Sequence, residues 1–165
     1  MRLLHYAAEP FSGPILSREQ RDRISTHEKP RGLWVSVEGE DDWPAWCRGE
    51  RFRLDGLTHV HEVALAPGAR VLRLASAFEI DAFTAQYARP FRLGTYECQG
   101  IDWRAVASDH QGLIIAPYIW SRRLDGGANW YYGWDCASGC IWDAEAVASV
   151  ALLEVVPVPE PENVH

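Results

Sequence analysis

Short apolar runs, most of them four to eight residues long, alternate with polar stretches punctuated by Gly and Pro along this chain. "RLLHYA" near the N-terminus has β character and predicts a first strand. In "SREQRDRI", Ser17 and Gln20 stand at capping-box spacing, which predicts a short helix. "KPRGLWVSVE" sets Pro and Gly ahead of an apolar strand. "DDWPAWCRGE" predicts a helix entered through Pro44, whose missing N–H costs nothing in a first turn.

"THVHEVALAPGARVLRLAS" has two β-rich runs joined by Pro67 and Gly68, a pair suited to a type II turn, and predicts a hairpin. In "SAFEIDAFTAQYA", Ser76 and Glu79 are spaced as a capping box, and Ile80, Phe83 and Tyr87 share one face with the small Thr84. A helix is expected there. "IDWRAVASD" predicts a helix capped by Asp102, and "GLIIAPYI" a buried strand. "SRRLDGGANWYYGWDCA" reads as a long aromatic loop, "SGCIWD" as a strand, "AEAVASVA" as a short helix or turn, and "LLEVVPV" as a closing strand. The mixture lacks regular βαβ alternation, so the expected class is α+β, with short helices on a mixed or antiparallel sheet. A single domain over 1–156 and an acidic, Pro-rich extended tail at 157–165 are expected.

Composition narrows the functional classes. At 47% hydrophobic and 24% charged residues, the chain is ordinary for a globular protein. Its net charge is −7, and no Arg cluster stands clear of acids, which argues against gripping an extended nucleic-acid duplex. No apolar run of the length of a membrane span or signal sequence occurs, so a cytoplasmic location without membrane partners is expected, with Cys47, Cys98, Cys136 and Cys140 as reduced thiols. Lys29 is the only lysine among the basic residues, which reads as genomic composition.

Cys136 and Cys140 have the spacing of half a zinc site, but Cys47 and Cys98 do not form a second pair, so buried thiols and no metal are expected. His59 and His61 share a strand face; a solvent face beside Glu62 is preferred to a metal site. No phosphate-loop Gly motif, Gly-x-Ser-x-Gly elbow or helical His pair occurs. Trp130, Tyr131, Tyr132 and Trp134 crowd one Gly-containing loop at 121–137, where they could roof a pocket, stack on a target base or sugar, or fold inward as a minor core.

The order of "LLHYA", helices, "GLWVS", a helix, a hairpin, a helix, "SDHQGLII" and "SGCIWDAEAV" resembles the ADP-ribosyltransferase superfamily, which includes the poly-ADP-ribose polymerases and many bacterial and phage toxins. The resemblance implies a split-sheet fold, NAD as substrate, and transfer of ADP-ribose to a protein, nucleobase or small molecule, or hydrolysis of NAD. It puts His5 at the NAD-ribose-binding histidine, Tyr6 where a small residue is usual, Trp34 at the aromatic of the nicotinamide pocket, Ser36 nearby, and Trp43 among the nucleotide contacts. The 121–137 loop falls where the family recognises its target. Ser138 falls at the position of the family's glutamate, the largest departure.

That departure has chemical weight. Nicotinamide leaves NAD from an already cationic state, so the barrier lies in an oxocarbenium-like sugar that a fixed negative charge stabilises. A serine accepts a hydrogen bond but brings no charge. Asp135 is the nearest replacement; three residues before Ser138, it faces the other way in a regular strand but can enter the site if "WDCAS" is loop. Asp143 is better placed to cap the turn after it. The catalytic candidates are therefore His5, Ser138 and Asp135. The alternatives are a nucleotide-binding module without catalysis and an interaction protein using the aromatic loop.

Overall fold

The computed structural model describes residues 1–157, so all of the expected tail but Pro157 lies outside the described residues. The elements in chain order are β1 (Leu3–Ala7), β2 (Leu33–Val37), α1 (Trp43–Glu50), β3 (His59–Leu65), β4 (Val71–Leu74), α2 (Ala77–Tyr87), β5 (Ala88–Leu93), β6 (Tyr96–Ile101), α3 (Trp103–Asp109), β7 (Gly112–Ile115), α4 (Trp120–Arg123), β8 (Ser138–Ile141) and β9 (Val147–Val155). The class is α+β. Seven strands form one mixed sheet in the order β4-β7-β8-β2-β1-β3-β9, with only β4 and β7 parallel, while β5 and β6 form a separate ribbon.

The helices α1, α2 and α3 form where they are expected, α1 with Pro44 in its first turn. The Asp42, Ser76 and Asp102 side chains each accept a backbone N–H of the first turn. At α2 Glu79 N–H donates to Ser76 Oγ at 3.2 Å, and Glu79 Oε2 in return accepts the Ser76 hydroxyl at 3.1 Å and the N–H of Ala75, one residue before the cap, at 2.7 Å. Ile80, Phe83, Thr84 and Tyr87 are buried, and they meet Trp103 and Val106 of α3 in the main core.

Four expectations are corrected. No helix forms over "SREQRDRI"; Ser17 Oγ instead accepts Ala144 N–H, and buried Gln20 bonds both the N–H and the carbonyl of Arg31. The side chains that would cap a helix are used to fasten an irregular segment across the fold. The hairpin also fails, although its turn is present: Gly68 has φ +75° and Ala69 N–H reaches Ala66 O at 3.1 Å. β4 leaves that turn for one edge of the sheet and β3 for the penultimate place at the other, inside β9. Laid flat, five strand spacings would separate them by about 24 Å, more than the roughly 18 Å that a tight turn with its flanking residues can span. The sheet is therefore strongly curled, and Arg73 of β4 and Glu62–Leu65 of β3 line a common depression.

Third, His61 does not face solvent: it is 2% exposed, accepting Phe11 N–H at Nε2 and donating from Nδ1 to His5 O at 3.3 Å. Fourth, the closing strand begins at Val147, directly after a 3₁₀ turn at Ala144–Ala146 capped by Asp143. The β5–β6 ribbon carries no clear alternation in sequence, because both of its faces are largely solvated.

Candidate functional site

The site begins with an incomplete ladder at the middle of the sheet. β1 and β2 share only two residue pairs, Leu3↔Val37 and Leu4↔Ser36. The rest of β1 stays on β3 through Ala7↔His59, and the rest of β2 stays on β8 through Leu33↔Ile141. The sheet thus opens as a fork. Backbone groups inside a fork need other partners, and His5 supplies one: its Nδ1–H donates to Trp34 O across the gap at 2.8 Å.

A cavity of about 390 Å³ occupies the fork, within the size range of small-molecule sites. It is lined by Leu4, His5, Tyr6, Trp34, Val35, Ser36, Trp43, Trp134, Asp135, Cys136 and Ser138, with Lys29 and Arg53. Leu4, Tyr6, Trp34, Ser36 and Ser138 share one face by register, while His5 and Val35 alternate to the other. Both sets line the cavity.

The His5 bond to a carbonyl fixes the proton on Nδ1, leaving Nε2 an acceptor in the neutral ring. Burial, chiefly, and His61 beside it lower the His5 pKa, opposed by the bond to Trp34 O. Burial, with Asp42 and Glu38 nearby, raises the Tyr6 hydroxyl to about 12, so it remains a phenol. Ser36 Oγ accepts Trp43 N–H at 2.9 Å, tying β2 to the start of α1. The Trp34 and Trp134 rings, 5.1 Å apart, form an aromatic wall.

At the far end, Ser138 is 6% exposed and sits opposite Ser36 in the ladder. It donates its hydroxyl to Cys136 O at 3.0 Å, which leaves lone pairs free to accept. Residues 134–137 are loop rather than strand, and Asp135 lines the same cavity as Ser138, with its carboxylate 3.7 Å from Arg123. Burial pushes the Cys136 thiol up to about 12, so it is not a nucleophile near neutral pH.

Of the aromatic-loop residues, only Trp134 lines the cavity. Trp130 and Tyr131 are buried in the main core, where Trp130 Nε1–H donates to Thr84 Oγ1 and Tyr131 OH accepts Ile119 N–H. Tyr132, 55% exposed, lies against the Arg123 guanidinium, which also contacts Tyr118 and Trp120.

Sequence reasoning missed Lys29 and Arg53. Lys29 Nζ lies 5.6 Å from the Trp34 ring centroid. Arg53 follows Arg51 and Phe52 in a tight reversal in which both arginines are left-handed, at φ 52° and 43°, a conformation costing about 1 kcal/mol or more for such residues. Phe52 anchors it against Trp43 and Trp46, whose own rings stack 5.1 Å apart. The solitary lysine in an arginine-rich chain was the available signal for Lys29; nothing local distinguished Arg53.

Fold and site define an α+β protein with a polar and aromatic cleft in a forked sheet. No protein-family model matches the chain, and neither a curated protein nor a solved structure matches it. Among the described residues no helix is long and apolar enough to cross a membrane, and no three His, Cys, Asp or Glu side chains cluster to hold a metal ion.

Proposed function

We propose that the cleft binds NAD and that the protein is an ADP-ribosyltransferase-like enzyme, transferring ADP-ribose to an acceptor or to water. The observation that carries this reading is convergence: His5, Tyr6, Trp34, Ser36, Trp43, Asp135 and Ser138, drawn from four separate segments, line one cavity. A pocket of aromatic walls with a few convergent polar groups suits a nucleoside.

In this reading the nicotinamide ring packs against the Trp34–Trp134 wall, and neutral His5 accepts a ribose hydroxyl at Nε2. Ser138 Oγ accepts a second hydroxyl. The bond from ribose C1′ to the pyridinium nitrogen breaks, its electron pair neutralises the departing ring, and the acceptor's lone pair forms the new bond to C1′ as the acceptor's proton passes to solvent. Asp135 supplies the negative charge facing the sugar cation, in place of the family's glutamate. Two bonds favour a second reading, a nucleotide-binding module without chemistry: Asp135 is partnered by Arg123, and Ser138 by Cys136 O.

Calorimetric titration of NAD, alongside assay of nicotinamide release, separates these readings. Binding lost in His5→Ala with release lost in Asp135→Asn supports the enzyme. Binding without release supports the module, and absence of NAD binding at millimolar concentration ends both.

A further inference from the structure

We infer that Lys29 and Arg53 form a phosphate clamp at the mouth of the cleft, so that its ligand is a phosphorylated nucleotide rather than a free nucleoside or base. The inference rests on the nucleotide reading above and assigns the ligand's charge. The cavity has three formally charged lining residues, the cations Lys29 and Arg53 and the anion Asp135. Asp135 has an ion-pair partner outside the lining, Arg123 at 3.7 Å. Among the described residues neither Lys29 nor Arg53 has a carboxylate within 4.0 Å or a side-chain hydrogen bond. A protein of net charge −7 therefore leaves two cations unneutralised at one cleft.

Their placement is structured. Lys29 lies over the Trp34 ring, with its Cε close to where a Cβ on Gly133 would sit. Arg53 is delivered by the left-handed Arg51–Arg53 reversal, held by Phe52 against Trp43 and Trp46. Arg51 is left-handed as the C-cap that ends α1, with Phe52 N–H bonded to Cys47 O at 2.9 Å, and Arg53 is left-handed at the entry to a 3₁₀ turn over Leu54–Leu57. Lysine offers a phosphate a compact charge, and arginine a planar fork of donors. The aromatic wall and His5 are less exposed than the two cations, which suits them to the base and ribose attached to that phosphate.

The test compares ligands differing in phosphate, namely nicotinamide riboside, nicotinamide mononucleotide, NAD and inorganic pyrophosphate, titrated into wild type, Lys29→Gln, Arg53→Gln and the double variant. Both side chains are exposed, so unchanged melting temperatures should certify folding. Each single variant should weaken NAD and the mononucleotide roughly tenfold, a charge-assisted contact at an exposed site, and reduce their salt sensitivity. Nicotinamide riboside should be unaffected, and Arg53→Lys should recover part of the loss. NAD binding to the double variant at wild-type affinity would overturn the clamp and leave the NAD reading standing, as would equal losses for riboside and mononucleotide. Pyrophosphate bound in a Lys29- and Arg53-dependent way, with NAD no tighter, would uphold the clamp and sink the NAD reading. Failure of both pyrophosphate and NAD to bind wild type would overturn the clamp as well.

Discussion

His5 joins the stability of the forked sheet to the proposed ligand chemistry, and His5→Ala separates the two. The substitution removes the Nδ1–H bond to Trp34 O, 2.8 Å long and partly buried, at a place where no strand neighbour replaces it. A carbonyl left without its partner in such a site costs about 1–3 kcal/mol. Lost ring contacts, edge-on with Phe11 at 5.9 Å and tilted with His61 at 6.0 Å, add about 1 kcal/mol. The sum is about 2–4 kcal/mol, and for a chain of this length each kcal/mol lowers Tm by about 2–4 °C, so His5→Ala should melt about 5–15 °C below wild type. His5→Asn puts an amide N–H near the position of Nδ1 and should recover roughly half of that loss, while leaving NAD affinity as low as in His5→Ala because no acceptor replaces Nε2. Differential scanning calorimetry with parallel NAD titration reads both effects. If His5→Ala melts within about 2 °C of wild type, the bond across the fork contributes nothing and the orientation assigned to His5 is wrong.

Asp135→Asn should reduce nicotinamide release by about 100-fold or more while changing NAD affinity only a few-fold; wild-type turnover in this variant would remove Asp135 from the chemistry. His5 has its pKa lowered on folding, so below the unfolded value of 6.5 the unfolded state takes up a proton that the folded state resists, and its contribution is full above 6.5 and lost as pH falls toward the lower folded pKa. Urea unfolding of wild type and His5→Asn at about pH 7.5 and about pH 5.5 should diverge with a slope of at most about 1.4 kcal/mol per pH unit, and parallel curves would contradict the assigned shift. Gly139→Ala would set a Cβ 2.6 Å from Leu113 O and 2.7 Å from Ile114 Cγ1, wedging β7 from β8. A loss of about 2–3 kcal/mol is expected, and one below about 0.5 kcal/mol would show that the ladder yields freely there.

Where residues act on their near neighbours in sequence, the chain was legible. Pro44 in the first turn, the Ser76–Glu79 capping box and the Asp102 cap marked α1, α2 and α3, the apolar runs marked β1, β2, β7 and β8, and the Pro67–Gly68 pair marked its turn. The same short-range signals put His5, Trp34 and Ser36 on strands, while their place at a pocket was implied only by the family resemblance. Ser17 and Gln20 mark the limit: capping spacing describes what side chains can do for a nearby backbone, but Ala144 and Arg31 were the partners they found.

Strand partners depend on distant residues. The β3–β4 turn formed, yet its strands lie five places apart in the sheet, because curling brings the two sides of the sheet together while β4 is satisfied by β7 and β3 by β1 and β9. A tight turn specifies a reversal, not which edge each strand completes. The same holds for the inward folding of Trp130 and Tyr131, the entry of Asp135 into the cavity, and the arrival of Lys29 and Arg53 at its mouth. The amino-acid sequence by itself determined the α+β class, the main helices and the strand residues flanking the fork, since those follow from short-range spacing and hydrogen-bonding capacity. Only the tertiary structure decided that the sheet is forked and curled and which charges line the fork, since these follow from how backbone groups far apart in sequence satisfy one another.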